Sequence, residues 1–509
     1  MGAVRNILFI TVDQWRGECL SLRGHPHVRT PHLDALARDG AAFVNHFANA
    51  APCAPSRASL HTGLYLHNHR VAMNGTPLDQ RHTNWALEMR KAGYRPALIG
   101  YTDQTPDPRG LARTDPRLFT YEGVLPGLDE IAFAGMEKTG PWQAELLAKG
   151  YPADVKREME LLSLRAPGPD WEDGAPAPRP WSIKSEDGDT AFLINRAKEF
   201  ISSQVSAREV PGFVLHLSIL KPHPPFVASE PWNARHDPAK VDGFVRAPTR
   251  DAEGAMHPWL SYQVSNALYH APENEKRLRR LKAVYYGLME ETDHYLGMLF
   301  AHLKREGLWD DTAIIVTSDH GEQMGDRHLI GKCGWFDESF HVPLIIRDPR
   351  APASTRGRMV DAFTENVDIM PTLLSLLGLG VPRACDGRDL SPFLSGDTPR
   401  NWRTHAYWEY DFRDAGSDHV EKALGIAYDA CHLAVLRGHE FKYVHFASLP
   451  PLFFDRLNDP QERRNLAGDP GHAPQIMAAM RALLSHRMMH EDRTLTHLRS
   501  SPLGLMERG

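Results

Sequence analysis

The sequence of 509 residues has few cysteines and no long apolar run. Its five cysteines are odd in number and widely spaced, which argues against a disulfide framework and favours a reducing compartment. No stretch approaches the roughly 18 apolar residues of a membrane span. The apolar run near the N-terminus ends at Asp13, too soon for the core of a signal peptide. We therefore expect a cytoplasmic protein that does not act at a membrane.

The sequence also lacks an excess of positive charge. It has 58 Lys and Arg residues against 64 Asp and Glu residues, a formal net charge of -6. Nucleic acids and anionic membranes attract basic surfaces, so the composition argues against both partners and favours a small-molecule substrate. The length allows a large core, and we predict an α/β domain over residues 1–385 and a smaller α+β subdomain over residues 386–509.

Four short apolar runs, separated by segments with helical patterns, predict a parallel sheet. The runs cover residues Asn6–Val12, 96–100, 213–220 and Thr312–Thr317. Strands buried on both faces of a parallel sheet are continuously apolar, and strands that alternate with helices form a doubly wound, mainly parallel α/β domain.

Two other regions have a different composition. Residues 118–180 are rich in Pro, Gly and charge, which predicts an irregular surface segment that could line a substrate mouth. After Pro392, the aromatic runs HAYWEY and KYVHF alternate as antiparallel strands do. We predict a small antiparallel sheet there, closed by a helix over residues 473–490.

Polar side chains stand where the four apolar runs end. They are Asp13 and Gln14, Tyr101 and Asp103, His223, and Asp319 and His320. Because ligands of open parallel sheets bind beyond the carboxyl ends of the strands, these residues are predicted to meet at one edge of the sheet.

The segment PCAPSRASLHTGLY contains the most chemically distinctive cysteine of the chain, Cys53. The residues that follow lack helix breakers up to Gly63, which predicts a short helix with Cys53 in its first turn. Free backbone N–H groups and the helix dipole favour an anion at that end. Arg57 adds a planar cation suited to phosphate-like or sulfate-like oxygens.

The run C-A-P-S-R-A-S-L-H-T-G resembles the sulfatase signature C-x-P-S-R followed by T-G, and LFFDRLNDPQERRNLA resembles the C-terminal signature of the same family. The resemblance implies an alkaline-phosphatase-like fold and a cysteine oxidised to formylglycine by a formylglycine-generating enzyme. In that family the hydrated aldehyde is the nucleophile, a role that falls here to Cys53. The resemblance places Arg57 on the nucleophile or on a substrate oxygen.

Three further roles follow from the resemblance. Lys332, in IGKCGW, matches the lysine that binds the substrate anion or the leaving group. His223 matches the histidine that follows the third strand and is the candidate general acid, since imidazole exchanges protons near neutral pH. Asn74, in MNGTPL, is predicted to contact the nucleophile or the substrate.

The predicted metal ligands depart from the usual sulfatase pattern. Sulfatases commonly use Asp-Asp and Asp-Asn pairs, whereas here the pairs are Asp13-Gln14 and Asp319-His320, with Cys53, as formylglycine, completing the shell. An imidazole ligand shifts preference from calcium towards manganese or zinc. We therefore predict one divalent metal, with manganese favoured and zinc or calcium left open. Asp319 is also predicted to accept the proton of the nucleophile.

A second departure concerns residues 101–103. The chain has Tyr101-Thr102-Asp103 where sulfatases carry Lys-x-His, and the tyrosine, with Gln14 and His320, resembles the phosphonate monoester hydrolases, a formylglycine-dependent branch of the alkaline phosphatase superfamily. Tyr101 and Asp103 are both predicted to bind substrate. Either of them could also serve as the hydrogen-bond partner or base that replaces the missing histidine.

The sequence leaves three functions open. The first interpretation is hydrolysis of sulfate monoesters of arylsulfatase type, with phosphonate monoesters and phosphodiesters cleaved at the same site. The second makes phosphonate monoesters or phosphodiesters the main substrates. The third is a non-catalytic metal-binding protein with an unmodified Cys53. In each case we expect a homo-oligomer.

Overall fold

The computed structural model describes residues 4–153, 180–207 and 211–508. Its centre is an eight-stranded sheet in the order β4-β3-β5-β1-β6-β7-β2-β8. The strands are β1 (Asn6–Val12), β2 (Ala41–Phe47), β3 (Ala97–Ile99), β4 (Asp129–Ala132), β5 (Val214–Ile219), β6 (Thr312–Thr317), β7 (Leu344–Arg347) and β8 (Arg358–Glu365).

The sheet is built outward from β1. Every residue of β1 is buried, and β1 pairs in parallel with β5 on one side and with β6 on the other. The strand β7 runs antiparallel to both of its neighbours, β6 and β2, and the remaining pairs are parallel. The prediction of a mainly parallel sheet is confirmed.

Several helices of the described chain cover both faces of this sheet, and others pack elsewhere. The helices are α1 (Pro31–Asp39), α2 (Cys53–Thr62), α3 (Leu66–His69), α4 (Trp85–Lys91), α5 (Gly140–Ala148), α6 (Asp189–Ala207), α7 (Arg250–Gly254), α8 (Pro258–Ser265), α9 (Glu275–Arg305), α10 (Asp337–Phe340), α11 (Ile369–Leu376), α12 (Ser391–Leu394), α13 (His419–Leu424) and α14 (Ala473–Met489). Because successive side chains of a strand point to opposite faces, Leu8 and Ile10 of β1 pack with α1, α6 and α9. Ile7 and Phe9 pack with α2, α4 and α11 on the other face. Two cores, one on each face of one sheet, confirm the doubly wound architecture.

A second, smaller sheet follows in the chain. Strands β9 (Ala406–Asp411), β10 (His432–Arg437), β11 (Phe441–Phe446) and β12 (Leu452–Asp455) form an antiparallel sheet in the order β12-β11-β10-β9. The helix α14 packs on it through Ala479 and Leu483. The chain then forms an antiparallel hairpin of β13 (Leu498–Ser501) and β14 (Gly504–Glu507). The predicted antiparallel sheet with a closing helix is confirmed.

The prediction for residues 118–180 is wrong in the part that can be described. The segment contributes the edge strand β4 and the helix α5, whereas residues 154–179 lie outside the described residues. In β4 only Ala132 is buried, so this edge strand has no apolar run that sequence reasoning could detect.

Other features were not resolved by the sequence pattern. The strands β2, β7 and β8 were not predicted. The domain boundary at residue 385 stays a prediction; Leu390 and Phe393, just beyond it, pack in the same core as α4 and α11. None of the described helices combines the length and apolar character that crossing a bilayer requires.

Candidate active site

Four neighbouring strands, in the order β3-β5-β1-β6, deliver polar residues to one edge of the large sheet. Asp13 follows β1, Tyr101 follows β3, His223 follows β5 and Asp319 follows β6. All four residues belong to connected hydrogen-bond networks described below. The structure thus brings together side chains that are more than 300 positions apart in the sequence.

The helix α2 places Cys53 against this edge. Cys53 is the first residue of the helix and is 4% exposed. The side-chain oxygen of Asn74 accepts a hydrogen bond from the backbone N–H of Ala54 at 2.9 Å, which satisfies one of the free donors at the helix start. The helix ends at Gly63, whose φ of 67° lies in the left-handed region that glycine adopts without strain.

Four side chains around Cys53 form a compact set of metal donors. One donor atom from each of Asp13, Cys53, Asp319 and His320 lies within 4.8 Å of the others. The Nε2 atom of His320 is 3.2 Å from Cys53 Sγ and 3.6 Å from Asp13 Oδ1. The Nδ1 atom of His320 lies 3.1 Å from the carbonyl oxygen of Gly321. A proton on Nδ1 donated to that oxygen leaves the Nε2 lone pair directed at the set.

The electrostatics of this set fit a divalent cation. The Oδ1 atom of Asp13 is buried and has no hydrogen-bond partner, and such an atom is costly unless a cation or donor meets it. Burial and the neighbouring Asp319 carboxylate raise the pKa of Asp13. Burial lowers the pKa of His320 to about 4, so its imidazole is neutral at neutral pH, as metal ligation requires. Two carboxylates and a neutral imidazole beside Cys53 are therefore suited to one divalent metal.

Arg57 lies behind the donor set and holds its carboxylates. Its Nε donates to Asp319 at 2.8 Å and its Nη2 donates to Asp13 at 3.1 Å. Its Nη1 donates to Ser218 Oγ at 2.9 Å and to the carbonyl oxygen of Tyr101 at 3.2 Å. Arg57 is fully buried, and its contacts position the two carboxylates. Its predicted contact with the nucleophile or with a substrate oxygen stays a prediction.

Tyr101 and Asp103 lie on the same side as Arg57. The Tyr101 hydroxyl donates to Asp13 Oδ2 at 2.5 Å, and the Arg57 guanidinium lies 4.3 Å from the centre of the Tyr101 ring. Asp103 Oδ2 is 3.6 Å from Arg57 Nε, and burial raises the pKa of Asp103 well above its usual range. Both side chains are almost fully buried. Their predicted role in substrate binding stays a prediction.

The opposite side of the site is a chain of hydrogen bonds through Lys332. Its Nζ donates to Gln14 Oε1 at 2.6 Å and to His223 Nε2 at 3.0 Å. The Nδ1–H of His223 donates to the carbonyl oxygen of Pro224 at 2.6 Å. Burial, followed by the charge of Lys332, lowers the pKa of His223, so the lysine is the charged member of this pair. The Gln14 side-chain amide also donates to Glu322.

A cavity of about 630 Å³ opens above these residues. Its polar floor includes Gln14, Asn74, His223 and Lys332. Most of the wall is apolar or aromatic, with Met136, Trp142, Leu193, Phe226, Tyr269, Ile330 and Phe412 among the lining residues. Met136 and Trp142 belong to the segment that was predicted to line a substrate mouth. The arrangement can hold an ester with one polar, anionic end and an apolar substituent.

Comparison with known proteins identifies the family. The sequence model of the Sulfatase family matches residues 5–379. The chain belongs to the sulfatase family. A second family model, "N-sulphoglucosamine sulphohydrolase, C-terminal", matches residues 325–490.

Individual members of the sulfatase family are similar to this chain over almost its whole length. The "Multifunctional alkaline phosphatase superfamily protein PehA" of Trinickia caryophylli is 43% identical, with 99% of each chain covered. The crystal structure of the phosphonate monoester hydrolase of Agrobacterium radiobacter is 42% identical, with a TM-score of 0.92 and 99% of each chain covered. The phosphonate monoester hydrolase SpPMH from Silicibacter pomeroyi is 39% identical, with a TM-score of 0.90 and the same coverage.

These findings confirm the expected alkaline-phosphatase-like fold and show that this sulfatase-family member is a hydrolase of ester bonds. Membership of the family implies a divalent metal and a formylglycine, and the donor set around Cys53 fits both. The similarities favour the second interpretation of the sequence, phosphonate monoester hydrolysis, over the first, which put sulfate monoesters before it.

Three supporting residues of this sulfatase-family site were not predicted. Glu322 is fully buried and accepts hydrogen bonds from Gln14 and from the backbone of Met324; its signal is an acid two residues after the Asp319-His320 pair. Ser218 is a polar residue inside the apolar run of β5, which could have indicated a function. Asn366 has no such signal in the sequence. Its hydrogen-bond partners include Ser56 in α2 and the carbonyl oxygen of Asp319 after β6, which come near it only in the folded chain.

Proposed function

We propose that the protein is a phosphonate monoester hydrolase that uses a formylglycine made from Cys53 and one divalent metal ion, and that it also cleaves phosphodiesters and sulfate monoesters at the same site. The observation that carries the proposal is the donor set of Asp13, Cys53, Asp319 and His320, in which an imidazole replaces one of the oxygen donors usual in sulfatases. The similarity to two phosphonate monoester hydrolases over 99% of the chain supports the substrate class.

The residues that would hold the metal are Asp13, Asp319, His320 and the converted Cys53, with Gln14 as a further oxygen donor. Mixed nitrogen and oxygen ligands favour manganese over calcium, and zinc is the next candidate. The metal and the hydrated aldehyde together supply a hydroxyl that ionises near neutral pH, as a metal-bound water does at a pKa of about 7.

The other residues of the site orient the substrate and carry protons. Arg57 and the Tyr101 hydroxyl hold the carboxylates of Asp13 and Asp319 in place through hydrogen bonds. Lys332 forms part of the cavity floor, where its ammonium group offsets charge on a substrate oxygen. His223 accepts a hydrogen bond from Lys332, so the pair shares one proton that reaches the oxygen of the leaving group through either side chain.

The charge of the site favours substrates with one negative charge. A divalent ion, Arg57 and Lys332 carry four positive charges, and Asp13 and Asp319 carry two negative ones; ionised Asp103 would add a third. A net charge of about +1 to +2 complements a phosphonate monoester, a phosphodiester or a sulfate monoester better than a doubly charged phosphate monoester.

The proposal is tested by comparing kcat/KM for an aryl phosphonate monoester and the aryl sulfate with the same leaving group. The protein is produced together with a formylglycine-generating enzyme, and the conversion of Cys53 and the metal content are measured by peptide mass spectrometry and elemental analysis. We expect the phosphonate ester to be the better substrate, and Cys53→Ala to be inactive. A higher kcat/KM for the sulfate would make the protein an arylsulfatase, and an unconverted Cys53 with no turnover would support the non-catalytic alternative.

A further inference from the structure

The cavity above the metal donors contains one acidic side chain whose charge is only partly balanced. Among the described residues, four acidic side chains line the cavity. Glu322 accepts three hydrogen bonds. Asp411 pairs with Arg413 at 2.7 Å, and each carboxylate oxygen of Asp414 accepts a hydrogen bond. The fourth acid, Asp189, differs from these three because it shares its cation with a second carboxylate.

Asp189 is the first residue of α6 and lies next to Lys221 and Glu291. Lys221 Nζ is 3.3 Å from Asp189 Oδ1 and 3.4 Å from Glu291 Oε2. The three side chains are at most 10% exposed. Although burial opposes it, the two carboxylates raise the pKa of Lys221, so the lysine is charged. One ammonium group thus serves two carboxylates, and a second cation would complete the set.

The second carboxylate oxygen of Asp189 is available to a bound molecule. The hydrogen bonds and ion pairs of the described residues reach Oδ1, from the backbone N–H of Thr190 at 2.8 Å and from Lys221, and none of them reaches Oδ2. Asp189 is almost fully buried and lines the cavity. A buried carboxylate oxygen is costly unless a donor meets it, so Oδ2 is suited to a donor that the substrate supplies.

An aromatic side chain stands near this carboxylate. Trp142 of α5 lines the cavity, and its indole N–H donates to the carbonyl oxygen of Asp187 at 2.9 Å, two residues before Asp189. The Trp142 ring centre is 5.6 Å from that of Trp181, and Lys221 Nζ is 5.3 Å from the centre of the Trp181 ring. Trp142 and Asp189 therefore belong to one wall of the cavity. A carboxylate and an aromatic ring together favour an ammonium group.

The leaving group of the substrate is better placed along a different wall. Lys332, the charged member of the pair with His223, follows Ile330, whose backbone N–H donates to the carbonyl oxygen of Tyr269 at 2.7 Å. Tyr269 packs on the core of the small sheet, whereas Trp142 packs on the core between the large sheet and α6. A cation on the leaving group would also be repelled by Lys332. The substituent that stays on phosphorus is therefore the one that meets Asp189.

We propose that Asp189 and Trp142 bind an ammonium group on the substituent that stays on phosphorus, so that the preferred substrates are monoesters of aminoalkylphosphonic acids. The proposal rests on the function proposed above and narrows its substrate class. The negative charge of such a substrate meets the metal and Lys332, and its positive charge meets Asp189. With the substrate bound, two ammonium groups face the two carboxylates of this wall.

The test compares kcat/KM for nitrophenyl monoesters of alkylphosphonic acids whose chain of about two to five carbon atoms ends in an ammonium, a methyl or a carboxylate group. The protein carries its metal and a converted Cys53. Because the leaving group is the same throughout, the differences report on the retained substituent. We expect the ammonium ester to exceed the methyl ester by about tenfold or more at one chain length, and the carboxylate ester to be the poorest.

Two variants separate Asp189 from the general field of the protein. Asp189→Asn keeps the size of the side chain and removes its charge, so the ratio of kcat/KM between ammonium and methyl esters should fall below about twofold. Glu186→Gln is the matched control. It removes the same charge from an exposed position three residues earlier and should leave the ratio at the wild-type value. Thermal unfolding shows whether each variant is folded, and the order of the three esters in the wild type tests the proposal without any variant.

Three results would overturn the assignment of Asp189. They are equal kcat/KM for ammonium and methyl esters at every chain length, a ratio that survives Asp189→Asn, and a ratio that Glu186→Gln lowers as much as Asp189→Asn does. In each case turnover of the methyl esters would leave the proposed phosphonate monoester hydrolysis intact. A wild type that turns over none of these esters would contradict the proposed function, and the ammonium site with it.

Discussion

Replacement of Asn366 by alanine is expected to weaken metal binding although Asn366 is not a predicted ligand. Its Nδ2 lies 3.2 Å from the carbonyl oxygen of Asp319 and 3.3 Å from Ser56 Oγ. Its Oδ1 accepts a hydrogen bond from His46 Nε2 at 2.9 Å. The Ser56 hydroxyl itself donates to the Asp319 carbonyl, so Asn366 ties the first turn of α2 to the end of β6.

The size of the effect follows from these contacts. Asn366→Ala leaves Nε2 of the buried His46 imidazole without its hydrogen-bond partner, which costs about 1–3 kcal/mol, and leaves the carbonyl oxygen of Asp319 with the Ser56 hydroxyl as its remaining side-chain donor. Groups that orient metal ligands typically change metal affinity by about 10–100-fold when they are removed. We therefore expect the dissociation constant of the metal to rise by that factor, with a loss of about 2 kcal/mol in the free energy of unfolding.

The assay is metal competition with a chelator of known affinity, followed by urea unfolding of the same samples. Asn84→Ala is the matched control, because Asn84 is also a buried asparagine with two side-chain hydrogen bonds, to Pro126 and Leu87, and neither partner adjoins Asn366. A loss of stability in both variants, with metal affinity at the wild-type value in both, would show that Asn366 does not support the metal site.

Three further predictions concern single residues. Lys332→Met should lower kcat/KM by about 100-fold or more, because it removes a positive charge from the reacting oxygens. Steady-state kinetics measure this change, and a fall in kcat/KM of less than fivefold would contradict the prediction. Tyr101→Phe keeps the ring on Arg57 and removes the hydrogen bond to Asp13. The metal dissociation constant, measured by chelator competition, should therefore rise by about tenfold. An unchanged dissociation constant would contradict this prediction. Burial lowers the pKa of His61 to about 3. As the pH drops below about 6.5, His61 therefore takes up a proton in the unfolded chain but not in the folded protein, and the free energy of unfolding falls. Urea unfolding should show that the free energy of unfolding falls by about 2 kcal/mol less in His61→Leu than in the wild type between pH 7.5 and pH 5. An equal fall in both proteins would show that His61 does not titrate in this way.

Much of the large sheet could be predicted because its central strands are buried on both faces. The runs that became β1 and β6 are continuously apolar, and periodicity detects such strands directly. By contrast, β4 is a short edge strand with one buried residue, and β8 has two exposed and two half-buried residues. Neither leaves a pattern that separates it from a loop.

The site was predictable to the extent that its residues stand next to strand ends. Asp13, Asp319 and His320 were found in this way, and Cys53 was found from its motif. The directions of side chains were not predictable, because they depend on partners supplied by other strands. Arg57 was expected at the nucleophile or at a substrate oxygen, which stays a prediction, and the sequence did not indicate that its donors reach Asp319, Asp13, Ser218 and the backbone. Likewise, His223 accepts a hydrogen bond from Lys332, which lies 109 positions away in the sequence. The sequence alone does not show that these two side chains meet.

The central claim is that one divalent cation sits between two strand ends and the first turn of α2. Anomalous diffraction from crystals of the mature enzyme, recorded on both sides of the manganese absorption edge, tests it directly. We expect a single strong peak bounded by Asp13, Asp319, the Nε2 atom of His320 and the converted side chain at position 53. A fully converted enzyme with no peak at that position, or with its metal held by other residues, would contradict the account.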